Sequence, residues 1–127
     1  MRITGIDHIV FTVRDMERTC DFYRRLLGME VALFEGGRRA LTFGNQKINL
    51  HQAGAEITPN ARSAAPGTAD ICFVTDTPID EVMATLAEFL VDIEIGPIPQ
   101  SGARGAMTSV YFRDPDENLV EIARYDS

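Results

Sequence analysis

Cysteine and histidine are both scarce in this chain, with two of each among 127 residues. Cys20 and Cys72 form no CxxC pair and have no spacing typical of a metal site, which argues against a structural zinc centre. We expect both cysteines to be reduced and buried, as in a cytoplasmic protein.

Long apolar runs and an excess of basic residues are absent as well. No run approaches the roughly 20 apolar residues that span a bilayer, and the start, MRITGIDHIV, lacks the pattern of a signal peptide. The formal net charge is −7, whereas a phosphate backbone selects basic surfaces. We therefore expect neither a nucleic-acid partner nor a membrane partner, and a cytoplasmic location.

The chain instead contains an internal repeat. Residues 4–13 read TGIDHIVFTV, and residues 66–75 read PGTADICFVT, so that His8 aligns with Asp70 and Phe11 with Phe73. An amphipathic helical pattern and three strand-like runs follow each copy. The repeat predicts an α+β fold of two tandem βαβββ modules, related by a pseudo-two-fold axis, that form a half-open, barrel-like curved sheet.

The hydrophobic content is 45%, enough for one domain with a sizeable core. We expect a single domain over residues 1–127, with module one at about 4–53, a linker at about 54–66 and module two at about 67–126. In module one, Asp15 is expected to cap the helix and Gly28 to end it. In module two, strands are predicted at 69–75, 91–95, 108–113 and 118–125. The segment 102–105 is expected to be either a mobile lid or an exposed connection.

Four residues on the predicted strands could bind a divalent metal. They are His8, His51, Asp70 and Glu121. Asp70 and Glu121 each lie in an apolar strand, where a carboxylate must be exposed, paired or bound to a cation. Mixed nitrogen and oxygen ligands suit Zn, Fe, Mn, Ni or Co. The alternative is structural: His8 as a core histidine and His51 as a solvated residue at a strand end.

Four arginines have two interpretations. They either hold an anionic substrate or serve as surface charges. They are Arg38, Arg39, Arg104 and Arg113.

Two segments resemble a known superfamily. These are IDHIVFTVRDMERTCDFYRRLLGMEV near the start and SVYFRDPDENLVEI near the end. They are similar to the vicinal oxygen chelate superfamily, which includes glyoxalase I, fosfomycin-resistance transferases, methylmalonyl-CoA epimerase, extradiol dioxygenases and bleomycin-resistance proteins. The resemblance covers essentially the whole chain, although Glu117 replaces the glycine usual in the family's ending. KINLHQAG and PGTADICFVT are most similar to small glyoxalase-domain proteins.

The resemblance implies the glyoxalase/bleomycin-resistance/dihydroxybiphenyl dioxygenase fold and a divalent metal of unknown identity. It places metal ligands on His8 and Glu121. Asp70 stands where relatives usually have histidine, and the fourth ligand position falls on Asn49 or His51. In the resembled enzymes the metal chelates two neighbouring oxygens of the substrate.

Carried over to this chain, that mechanism makes Glu121 the residue that shuttles a proton. Tyr111 or Arg113 would then orient the substrate.

The resemblance therefore implies a metal-dependent enzyme of the glyoxalase or lyase type that acts on a small metabolite. The alternatives are a non-catalytic protein that sequesters a drug, of the bleomycin-resistance type, an extradiol dioxygenase, or a fosfomycin-type thiol transferase. Relatives of this length pair two chains, so we expect a two-fold homodimer. The metal ligands would lie either within one chain or across the two chains.

Overall fold

The computed structural model describes residues 1–127 and has the order βαβββ twice, which confirms the predicted α+β fold. Two compact units contain one copy each, Met1–Thr68 and Ala69–Ser127. The first unit contains β1 (His8–Val13), α1 (Met16–Leu27), β2 (Glu30–Phe34), β3 (Arg38–Phe43) and β4 (Gln46–Gln52). The second contains β5 (Asp70–Val74), α2 (Ile79–Glu88), β6 (Ile95–Gly102), β7 (Gly105–Arg113) and β8 (Leu119–Tyr125).

The first unit is a four-stranded sheet with one helix against one face. The strand order is β1-β4-β3-β2, with β1 parallel to β4 and the other pairs antiparallel. Asp15 caps α1 by accepting a hydrogen bond from the Arg18 amide, and Gly28 ends it at a φ of 68°, both as predicted. The ring of Tyr23 on α1 packs edge-on against Phe11 of β1. Because side chains alternate along a strand, the apolar residues face α1 and the polar residues face away from it.

The second unit repeats this arrangement with the order β5-β8-β7-β6. Helix α2 contacts β7 and β8, and its Leu86 is buried, as are Val110, Phe112, Val120 and Ile122 of these two strands. Neither four-stranded sheet closes into a barrel, since β1 and β2 are edge strands of one sheet and β5 and β6 of the other.

The turn between β7 and β8 contains three buried polar residues, Asp114, Asp116 and Asn118, linked by hydrogen bonds. Oδ1 of Asp114 accepts from the backbone amides of Asp116 and Asn118, and Oδ2 accepts from the Asn118 side chain. Oδ1 of Asn118 in turn accepts from the Ala69 amide at 2.9 Å. The turn therefore fixes the start of β5 beside the start of β8. Glu117 in this turn has a φ of 71°, a left-handed conformation that favours glycine.

The strand predicted at 91–95 was placed too early. The observed strand, β6, begins at Ile95, the last residue of the predicted strand, and continues through Gly96 and Pro97 to Gly102. Gly96 has a φ of 115°, and a Cβ there would lie 2.6 Å from the backbone oxygen of Ser109. Only glycine fits at this position, so it marks a close approach of two strands and not the end of one.

The segment 102–105 is the tight connection of a hairpin. Gly102 and Gly105 pair with each other across β6 and β7. The Arg104 amide donates to the hydroxyl of Tyr125 at 3.1 Å, and its guanidinium lies over the Tyr125 ring. These contacts support an ordered connection over a mobile lid.

Both cysteines are free, and they differ in exposure. Cys20 is buried as expected, whereas Cys72 is exposed, which corrects the prediction for Cys72. Its strand β5 lies at the edge of the second sheet, where one side has no neighbouring strand to cover it.

Neither helix has the length and apolar character required to cross a membrane.

Candidate functional site

The face of the first sheet that points away from α1 carries a set of polar side chains. The parallel register of β1 and β4 pairs His8 with Lys47, Val10 with Asn49 and Thr12 with His51. Residues paired in this way lie on the same face. Arg38 joins them, because Ala40 pairs with Asn49 and Arg38 lies two residues before Ala40 on β3. We call this surface the polar face of the first sheet.

His8 is held by the preceding residue. Its Nδ1 lies 2.7 Å from Oδ1 of Asp7, and its side chain is 42% exposed. The hydrogen bond from His8 lowers the pKa of Asp7. When Nδ1 donates to a carboxylate, the lone pair of Nε2 is left available and the ring orientation is fixed. His8 is therefore arranged like a histidine that ligates a metal, and not like the core histidine of the alternative interpretation.

The ring nitrogens of His51 and Oδ1 of Asn49 are buried without hydrogen-bond partners. The exposed fractions of His51 and Asn49 are 4% and 5%. Since His51 pairs with Thr12 and His8 with Lys47, four strand positions, about 13 Å, separate the two histidines. Their spacing along the strand does not bring them together.

The equivalent face of the second sheet carries a row of polar side chains across its four strands. Glu121 of β8 lies between Cys72 of β5 and Tyr111 of β7, which are its direct neighbours in register. The side chain of Gln100, on β6, donates to the Tyr111 hydroxyl at 2.8 Å. The row thus places one carboxylate beside a thiol and a hydroxyl.

The environment of this row changes two pKa values. Cys72 is exposed at the sheet edge, but neighbouring side chains partly desolvate its thiol. This partial desolvation, and then the charge of Glu121, raises the pKa of Cys72 to about 11. Burial, followed by the interaction with Glu121, also raises the pKa of Tyr111. Both groups are therefore protonated near neutral pH and can act as hydrogen-bond donors towards the carboxylate.

Asp70 lies on the same face as Glu121. It pairs with Leu119, two residues before Glu121 on β8, so the two carboxylates are diagonal neighbours on adjacent strands. The structure does not complete a metal site from them, since it contains no group of three or more His, Cys, Asp or Glu side chains that could hold a metal.

The strand registers show which positions of the two units correspond. His8 pairs with Lys47 in the first unit, and its counterpart Asp70 pairs with Leu119 in the second. Counting two residues onward along each strand, Asn49 corresponds to Glu121. By the same count His51 corresponds to Ala123. The register therefore favours Asn49 as the equivalent of the last-strand ligand, between the two positions that the sequence left open.

The four arginines divide by their partners. Arg39 pairs with Glu17, and Arg104 lies over Tyr125. Arg113 donates through Nε and Nη2 to both carboxylate oxygens of Glu94 at 3.0 Å, and through Nη1 to the carbonyl of Glu117. Its role in orienting a substrate remains a prediction, although its donors are engaged by these groups. Arg38 pairs with no acid and lies over the Phe34 ring.

Three residues of the site were not identified from the sequence. Asp7 adjoins His8, so its role could have been inferred from the frequent pairing of ligating histidines with carboxylates. Cys72 lies two residues from Asp70, and alternation along the strand places both on one face. Gln100 had no such signal, because its strand was placed at 91–95.

The donors present suit a divalent metal in their chemistry. An imidazole oriented by a carboxylate and two further carboxylates are the mixed nitrogen and oxygen ligands that zinc, iron, manganese, nickel and cobalt accept. His8 lies on β1 and Asp70 on β5, which are the first strands of the two units. Glu121 lies on β8, the last strand of the second unit. Paired βαβββ units with polar residues on one face of each sheet define a class of small-molecule-binding domains.

The chain belongs to the Glyoxalase/Bleomycin resistance protein/Dioxygenase superfamily, whose family model matches residues 5–122. This confirms the resemblance drawn from the two terminal segments. The chain is 46% identical to Virulence protein STM3117 of Salmonella typhimurium over 98% of this chain and 87% of that protein.

Solved structures agree with this membership. An integron cassette protein of V. cholerae has a TM-score of 0.97 and 48% identity, covering 99% of this chain and 98% of its own. A lactoylglutathione lyase of Agrobacterium tumefaciens has a TM-score of 0.74 and 25% identity, covering 97% of this chain and 95% of its own.

Proposed function

We propose that this chain is a cytoplasmic, metal-dependent enzyme of the glyoxalase or lyase type. Its substrate would be a small metabolite with two neighbouring oxygen atoms. The observation that carries the proposal is the orientation of His8 by Asp7, which leaves Nε2 as a free ligand. Asp70 and Glu121 supply carboxylates from one face of the second sheet. The superfamily of the chain and its similarity to a lactoylglutathione lyase support the same reaction class.

The proposed ligands are His8, Asp70 and Glu121. The fourth position remains open between Asn49 and His51. The register equivalence with Glu121 supports Asn49, whereas imidazole is the stronger ligand for these metals and supports His51. A metal held in this way would act as a Lewis acid towards the two oxygens of the substrate.

The surrounding side chains would move and hold protons. Glu121 is the proposed base, since it is the carboxylate nearest to two protonated groups, Cys72 and Tyr111. Because Gln100 donates to the Tyr111 oxygen, the hydroxyl proton of Tyr111 remains free to point at Glu121 or at a substrate oxygen. Tyr111 is therefore proposed to hold the substrate oxygen while Glu121 accepts a proton from the neighbouring carbon.

The proposal includes a homodimer in which the ligands come from two chains. The similarity to superfamily members, whose relatives of this length are expected to pair two chains, supports this arrangement. Mixing His8→Ala and Glu121→Ala proteins distinguishes the two possibilities. In a shared-site dimer, each mixed dimer regains one intact site, with His8 from one chain and Glu121 from the other. If each site lies within one chain, the mixture binds no more metal than either variant alone.

Metal content and proton exchange test the function itself. We expect purified protein to bind one of the five metals at one ion per site. We also expect it to exchange the carbon-bound protons of hydroxyacetone for deuterium in D₂O, as followed by NMR. Glu121→Gln should abolish exchange, and EDTA should do the same reversibly. Equal exchange by the wild type and Glu121→Gln would contradict the proposal.

A sequestering protein without catalysis is the second candidate. Its supporting observation is Asp70, which replaces the histidine usual in metal-dependent relatives. This candidate predicts that the wild type and the His8→Ala variant contain the same amount of metal. It also predicts that the wild type exchanges no protons with any of the five metals added.

A further inference from the structure

Two cations on the polar face of the first sheet lie against one aromatic ring. The guanidinium carbon of Arg38 is 4.9 Å from the centre of the Phe34 ring, and Nζ of Lys47 is 4.2 Å from it. No ion pair engages either cation, in contrast to Arg39, which pairs with Glu17 on the opposite face. Two like charges are therefore held near one another around Phe34 without a neutralising acid, which is unfavourable.

Buried groups without partners lie beside these cations. His51 and Asn49 are more than nine-tenths buried, and Nε of Arg38 is among the buried atoms that lack a hydrogen-bond partner. The register places Arg38 next to His51 across β3 and β4, since Arg39 pairs with Leu50. Buried polar groups in folded proteins nearly always have partners, so three unpartnered groups on one face point to a ligand.

We propose that this face binds a small anion that also carries a hydroxyl group. Arg38 and Lys47 would hold the anionic group, a carboxylate or a phosphoryl group, from two sides. His51 would donate a ring N–H to the same group. Oδ1 of Asn49, which accepts nothing in the structure, would accept from the hydroxyl.

The charge of the rest of the chain sharpens this assignment. The formal net charge is −7, so the molecule as a whole repels anions, and saturable binding of an anion requires a local cationic site. Three acids lie near the cluster. They are Asp7, on which the charge of Lys47 acts, Glu56, on which the charge of His51 acts, and Glu30, whose partner Thr42 pairs with Lys47. None of them forms an ion pair with Lys47.

The proposed anion site adjoins the proposed metal ligand, because Lys47 pairs directly with His8. If this anion is the substrate, the site names the substrate class of the proposed function, a hydroxylated anion. Only this identification rests on the proposed function. Arg38 and Lys47 bind the anionic group without a metal, whereas Asn49 and His51 are also the two candidates for the fourth metal ligand. The test therefore uses protein stripped with EDTA, so that its failure and the failure of the metal proposal are distinguishable.

Titrations with acetate, glycolate, methylphosphonate and inorganic phosphate test the site. Binding is followed by calorimetry and by backbone NMR shifts, which should concentrate at Ala40, Asn49 and His51. We expect saturable binding, with glycolate tighter than acetate because of its hydroxyl. Whichever of acetate and methylphosphonate binds with the lower dissociation constant shows whether the site prefers a carboxylate or a phosphoryl group. Lys47→Gln and Arg38→Gln should each weaken binding at least about tenfold, the effect of losing a charged hydrogen bond.

Arg39→Gln is the matched control, since it removes the same charge from the same strand on the opposite face. It should leave anion affinity within about twofold, and Lys47→Arg should restore most of the binding lost in Lys47→Gln. An equal loss in Arg39→Gln, or NMR shifts spread over the whole chain, would overturn the proposal. The wild-type shift pattern decides the question if a variant does not fold.

Discussion

Cys72 lies directly opposite Glu121 in the parallel register of β5 and β8. The pKa of the thiol is raised to about 11, first by partial desolvation and then by the Glu121 charge. Because the thiolate is the reactive form, Cys72 should be alkylated by iodoacetamide at pH 8 about 100-fold more slowly than an ordinary cysteine.

Glu121→Gln removes the second of these causes and leaves the first. We expect it to accelerate alkylation of Cys72 several-fold without restoring the ordinary rate, as measured by mass spectrometry of the Cys72 peptide. Cys20 is buried and serves as the internal control. A rate unchanged by Glu121→Gln would show that the charge of this carboxylate does not act on the thiol.

Asp7 should set the metal affinity of the proposed site without binding the metal. Asp7→Ala removes the acceptor that orients His8, and removal of such a partner typically weakens metal binding 10–100-fold. Asp92→Ala makes the same charge change at an exposed position of the second unit and should have no effect. Competition with a coloured chelator measures both affinities, and equal losses would contradict the orienting role.

Metal affinity also decides the fourth ligand position. If Asn49 corresponds in function to Glu121, Asn49→Ala should weaken metal binding about tenfold and Asn49→Glu should strengthen it, since a carboxylate is the stronger ligand. His51→Ala should then leave affinity unchanged. The reverse pattern would assign the position to His51, and circular dichroism checks that both variants remain folded.

The ion pair of Arg113 and Glu94 should make stability depend on acid pH. Arg113 lowers the pKa of Glu94, so the folded state favours the ionised carboxylate. Its contribution is present above the unfolded pKa of about 4.3 and is lost as the pH falls through the lower folded value. In Glu94→Gln, the urea concentration at the denaturation midpoint should therefore depend less steeply on pH between about pH 5 and pH 3 than in the wild type. An equally steep dependence in the variant and the wild type would contradict this.

Glu117 should be a site where glycine stabilises the protein. Its φ of 71° is unfavourable for a residue with a Cβ, and we expect Glu117→Gly to raise the free energy of unfolding by about 0.5–1 kcal/mol. Glu117→Ala keeps the unfavourable conformation and should give no gain, which separates backbone strain from loss of the side-chain charge. Urea denaturation measures both, and a loss in Glu117→Gly would show that its side chain matters more than its backbone.

The sequence predicted most elements because local signals and tertiary structure agree in them. Asp15 and Gly28 mark the start and the end of α1 where the structure has them. The strand predicted at 91–95 was misplaced because β6 continues through Gly96, where glycine permits a close approach to Ser109, a contact between strands that no local pattern reveals. The metal ligands named from the sequence stay predictions. Gln100 and the pairing of Arg113 with Glu94 could not be predicted, because they depend on β6 and its flank, which the sequence misplaced.

The register that equates Asn49 with Glu121 has a consequence for how such chains diverge. After a duplication, both halves inherit the same strand geometry, so a single codon decides which half presents a carboxylate at this position. The half that lacks it keeps its fold, because the position faces away from the helix. That half can then change its other side chains on the same face independently, while the other half retains the carboxylate.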